Sequence, residues 1–123
     1  MAKFLTLNTH SWMEEEQETK LNQLVERILQ EKYDVICLQE VNQLVESEQV
    51  VQAPFYQAVE GAIAIHQDHF ALCLVKKLAE AGLDYHWSWA YNHIGFDIYN
   101  EGVAILSRNP MTPREVLVSE AND

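Results

Sequence analysis

Between residues 19 and 32 the apolar positions recur at helical spacing. Leu21, Leu24, Val25, Ile28 and Leu29 mark one face, and Lys20, Gln23, Glu26 and Arg27 lie elsewhere. The spacing predicts a helix that breaks before Tyr33-Asp34. Shorter β-like runs flank it. Residues 3–8 carry Phe4, Leu5 and Leu7, and residues 35–39 form the apolar run Val35-Ile36-Cys37-Leu38-Gln39. Strand, helix and strand with short connections predict an α/β unit.

Residues 41–66, with Pro54, Gly61 and scattered Val and Ala, read as a long loop with short elements. Asp68 is placed to cap a helix starting near His69, with Phe70, Leu74, Val75 and Leu78 on its apolar face. Gly82 stands where that helix would end. Residues 85–91 are aromatic and β-prone, and residues 102–107, GVAILS, read as a buried strand. A turn bracketed by Pro110 and Pro113 precedes a further strand at 115–119.

A chain of 123 residues, 48% hydrophobic, fits one globular domain spanning 1–123. Its formal charge of −11 opposes direct binding to a polyphosphate backbone unless a cation intervenes. That balance favours a small-molecule, lipid or metal-mediated phosphate partner. Cys37 and Cys73 have no metal-like spacing and read as free, buried thiols of a reducing compartment. The first strand leaves no room for a signal peptide, and no apolar run nears the ~20 residues of a membrane span. The expected location is the cytoplasm.

The chemistry centres on two strand ends. Glu40 follows the apolar run 35–39, where an unpaired buried carboxylate would be costly. A hard cation such as Mg²⁺ gives such a group a purpose, because it takes one or two carboxylates and keeps its remaining waters. Asn8 ends the first strand, placed to hold a phosphate oxygen or to orient a carboxylate. Each has a plainer reading alone, since Asn at a strand end commonly bonds nearby backbone and Glu after a strand is commonly solvated. Together they gain weight, because ligands gather at the carboxyl ends of α/β strands.

Three blocks occur in order: Leu7-Asn8-Thr9-His10-Ser11-Trp12, Val35-Ile36-Cys37-Leu38-Gln39-Glu40-Val41, and residues 99–110, YNEGVAILSRNP. In this arrangement the chain resembles the endonuclease/exonuclease/phosphatase superfamily, whose members are similar to DNase I and bacterial sphingomyelinases. The resemblance implies the first half of a DNase I-like four-layer β-sandwich with flanking helices, its sheet mixed and mainly antiparallel. It implies that Glu40 binds the catalytic Mg²⁺, with Mn²⁺ as the alternative, and that Asn8 helps hold the site and the phosphate. It further implies that His93 and Asn100 line the substrate cleft, His93 in a catalytic role and Asn100 binding substrate. The plainer reading of His93, beside aromatic residues, is packing or surface.

The superfamily's later motifs, an Asp-x-Asn block and a Ser-Asp-His ending that carries the general base, have no match in these residues. The expectation is therefore the N-terminal portion of a Mg-dependent phosphoesterase, inactive alone, hydrolysing a phosphodiester or phosphomonoester by metal-assisted attack of water. A lone half would expose one sheet face, so pairing with the missing half or self-association is expected. The alternative is a non-catalytic binding or assembly module of the same fold. A flavodoxin-like regulator would need a Gly-rich phosphate loop or an acidic phosphoacceptor cluster, which Asn8-Thr9-His10 does not offer.

Overall fold

A computed structural model describes residues 2–9, 17–59, 62–95 and 99–110, of which 92–95 and 99 are described by backbone alone. The elements run β1 (Phe4–Asn8), α1 (Gln17–Glu31), β2 (Val35–Leu44), α2 (Phe70–Glu80), β3 (His86–Gly95) and β4 (Tyr99–Ser107). The sheet has the order β1-β2-β4-β3. β1 pairs parallel to β2, and the other two pairings are antiparallel. The sheet is thus mixed and mainly antiparallel, with the β1-α1-β2 unit supplying its parallel edge. The strand expected at 115–119 lies outside the described residues.

Helix α1 buries Gln17, Leu21, Leu24 and Ile28, one stripe at helical spacing. It ends on Lys32, held at φ 51 while its N–H donates to Ile28 O at 2.7 Å. Helix α2 ends in a Schellman arrangement. Leu83 N donates to Leu78 O at 2.9 Å and Gly82 N to Ala79 O at 3.0 Å. Gly82 sits at φ 91, where a Cβ would be strained.

The start of α2 differs from expectation. His69, not Asp68, is the N-cap, and its Nδ1 accepts from Ala71 N and Leu72 N. Asp68 is engaged elsewhere, accepting from Leu44 N at 2.8 Å and Ser47 Oγ at 2.6 Å. The carboxylate thus clamps the turn after β2, and the imidazole of the residue just before the helix accepts from two of its first N–H groups.

Both helices cover one face of the sheet. Leu21, Leu24 and Ile28 from α1 and Leu74, Val75 and Leu78 from α2 join Leu5, Ile36, Leu38, Trp87, Trp89, Ala104 and Leu106 in one core. Trp87 and Trp89 are fully buried, and their indole N–H groups donate to Pro54 O at 2.8 Å and Val41 O at 3.1 Å. By alternation the other face carries Thr6, Cys37, Val103 and Ile105. Cys37 and Cys73 are free and half-buried, and burial pushes both thiols up in pKa. A helix layer and one sheet are thus two layers, a part of the expected sandwich.

Candidate functional site

β2 does not end at Gln39. It continues to Leu44, and the polar residues in its second half are accommodated by a bulge. Leu38 pairs with Ala104 and Val41 with Gly102, so Gln39 and Glu40 together oppose one residue of β4. Glu40 takes φ 54, a left-handed conformation that costs a non-glycine residue free energy.

Groups outside β4 hold the backbone around the bulge. Thr9 N donates to Gln39 O at 3.0 Å. Thr9 Oγ1 lies 3.1 Å from both Gln39 O and Glu40 O, and Trp89 Nε1 takes Val41 O. Parallel pairing sets Asn8 opposite Gln39, and Asn8 Nδ2 donates to Glu40 Oε2. The structure therefore brings Asn8 and Glu40 into direct contact. Asn8 is exposed and Glu40 half-buried.

Asn100 is placed differently. β4 is regular opposite both of its neighbours' bulges, so Asn100 and Gly102 share the helix-side face with Ala104 and Leu106. Its amide is fixed by Gln43, which is fully buried and pairs with it across the ladder. Gln43 Oε1 accepts from His66 N at 2.6 Å, and its Nε2 donates to Ala64 O at 2.9 Å. Both backbone partners have fixed polarity, so the remaining Nε2 hydrogen goes to Asn100 Oδ1 at 3.3 Å. Asn100 is not brought to the Asn8–Glu40 pair. The backbone of His93 pairs with Glu101, its side chain is outside what the structure describes, and His10 also lies outside the described residues.

Alternation instead puts Glu101 and Asn42, which oppose each other, on the same face as Asn8. Glu101 is only 9% exposed and Asn42 is fully buried. The sequence holds a signal for Glu101: an acidic residue set directly against an apolar strand, as Glu40 is.

The chain's Asp68-His69 dipeptide is no catalytic pair. His69 is wholly buried and caps α2, and burial lowers its pKa to about 3 with a smaller push from His66. Ring contacts with Trp87 and Trp89, at 5.2 and 4.4 Å between centroids, close it in. No group of three or more His, Cys, Asp or Glu able to hold a metal exists among the described residues. The donor set that is present, one carboxylate oriented by an amide, fits a cation that keeps most of its waters, as Mg²⁺ does.

Residues 12–121 match the Endonuclease/Exonuclease/phosphatase family. The chain belongs to this family. None of the curated proteins matches it. Among solved structures it is similar to an endonuclease/exonuclease/phosphatase family protein from Leptotrichia buccalis C-1013-b, with a TM-score of 0.77 and 35% identity over 92% of the chain. The match spans 39% of that protein's length, so the described sheet and helices are part of the family's DNase I-like fold. The family comprises hydrolases in the main, and the fold is consistent with a phosphoesterase-like one. No helix among the described residues is long and apolar enough to cross a membrane.

Proposed function

We propose that this chain is the metal-binding N-terminal portion of a Mg²⁺-dependent phosphoesterase, acting on a phosphodiester or phosphomonoester. The observation that carries the reading is the contact of Asn8 Nδ2, at the end of β1, with Glu40 Oε2 at the bulge of the parallel neighbour β2. A structural glutamate needs no left-handed backbone and no exposed amide to hold it.

Glu40 would hold the ion, with Mn²⁺ able to replace Mg²⁺. When bound, the ion supplies Lewis-acid polarisation of a phosphoryl oxygen and stabilises developing charge. Asn8 performs the orienting step. Its donation to Oε2 would help fix the rotamer of the Glu40 carboxylate that holds the ion. Glu101, on the same face, adds negative potential that raises the local cation concentration. The general base and the second polar block come from the remainder of the domain, so the 123 residues alone are inactive.

The test is a fusion of this chain to the portion of the Leptotrichia protein that it does not span. The expected result is hydrolysis of an aryl phosphodiester that requires Mg²⁺ and is lost in Glu40→Gln. Hydrolysis by the fusion that persists undiminished in EDTA contradicts the reading.

A further inference from the structure

Glu40 is one of three non-glycine residues at positive φ among the described residues, with Lys32 and Phe55. Lys32 is explained by the end of α1, where a left-handed residue closes the helix. At Glu40 the left-handed residue belongs to the bulge. It stands inside a ten-residue strand, where an extended backbone would have preserved the ladder with β4. Left-handed strain persists only where surrounding structure enforces it.

The enforcement comes from Thr9. Its N–H continues the parallel ladder to Gln39 O, and its hydroxyl reaches two consecutive carbonyls of the bulge, Gln39 O and Glu40 O. Only one hydroxyl proton is available, so it is shared between them or alternates. An extended Glu40 would rotate its carbonyl out of this grip and swing its side chain to the helix-side face, because one residue of slip reverses the faces. Asn8, one residue earlier, could then no longer reach the carboxylate. The same short segment thus secures Glu40 twice, once at its backbone and once at its side chain.

We infer that Thr9 is a positioning residue for cation binding: its hydroxyl holds the Glu40 bulge in the left-handed geometry that presents the carboxylate. This rests on the proposed metal role of Glu40. The side chain is half-buried and its hydroxyl contacts backbone carbonyls, so its part in this proposal is to hold the bulge and not to ligate the ion.

The experiment titrates Mn²⁺ alone into the 123-residue chain, followed by electron paramagnetic resonance, for wild type, Thr9→Val, Thr9→Ser and Glu40→Gln. Thr9→Val keeps the shape and removes the hydroxyl. It is expected to weaken Mn²⁺ binding about tenfold or more, the range for partners of a metal ligand, with Thr9→Ser restoring wild-type affinity. The ¹³Cα shift of Glu40, measured without metal, should leave its left-handed value in Thr9→Val and keep it in Thr9→Ser. Wild-type affinity and an unchanged Glu40 shift in Thr9→Val, with binding still lost in Glu40→Gln, overturn the inference and leave the metal reading standing. Binding absent in wild type, or equal in Glu40→Gln, overturns both. Should Thr9→Val fail to fold, Thr9→Ala and Thr9→Ser carry the same comparison.

Discussion

Asn8 donates its side-chain amide to the carboxylate of Glu40, joining two residues 32 apart in sequence through the parallel pairing of β1 and β2. The amide gives a hydrogen bond through Nδ2 and carries no charge of its own. Asn8→Ala is expected to weaken Mn²⁺ binding about tenfold. Its effect on stability should stay near 1 kcal/mol, the net value of one solvent-accessible hydrogen bond. Calorimetric Mn²⁺ titration and urea denaturation check the two halves of this prediction.

The backbone at Glu40 makes a second, less intuitive prediction. Inside a strand, alanine is normally preferred to glycine. At φ 54 the order should reverse, with Glu40→Gly more stable than Glu40→Ala by about 1 kcal/mol. Both variants lose the carboxylate, so urea midpoints for the pair isolate the backbone term. A more stable Glu40→Ala would show that the bulge carries no strain.

His69 makes stability depend on pH. Its pKa is lowered by burial from 6.5 to about 3, so between those values the unfolded chain binds the extra proton and the folded chain does not. The stabilisation is complete above pH 6.5 and is lost as pH falls toward 3, by about 1.4 kcal/mol per pH unit. His69→Asn keeps a capping side chain without a titrating ring, and should flatten the urea midpoint between pH 6.5 and 4.

Gly102 is required by close approach. A Cβ there would lie 2.1 Å from Ala90 O and 2.9 Å from Tyr91 Cα, against backbone that cannot swing aside. Gly102→Ala is expected to destabilise the chain by about 3 kcal/mol and to raise amide exchange along β3, measured by deuterium exchange.

The elements legible in the sequence are those set by local periodicity. The stripe Leu21, Leu24, Ile28 locates α1, and Phe70, Leu74, Val75, Leu78 locate α2. Strand β2 was only half legible, because Glu40, Asn42 and Gln43 interrupt the apolar run where a bulge absorbs them. Asp68 and His69 both suit a helix start. The choice between them is made by Leu44 N and Ser47 Oγ, some twenty residues away, which no local pattern encodes. At the site, Asn8 and Glu40 stand out as polar groups that follow apolar runs. Thr9 does not, since its partners are backbone atoms brought near only by the pairing of β1 with β2. Asn100 pairs with Gln43 across the ladder, a partner that its motif does not name.

The most direct measurement of the central claim is Mn²⁺ affinity in wild type against Glu40→Gln, with thermal unfolding recorded on the same samples. A cation held by Glu40 requires saturable binding in wild type and at least about tenfold weaker binding in Glu40→Gln at a similar melting temperature. Equal Mn²⁺ affinity in the two proteins would contradict it.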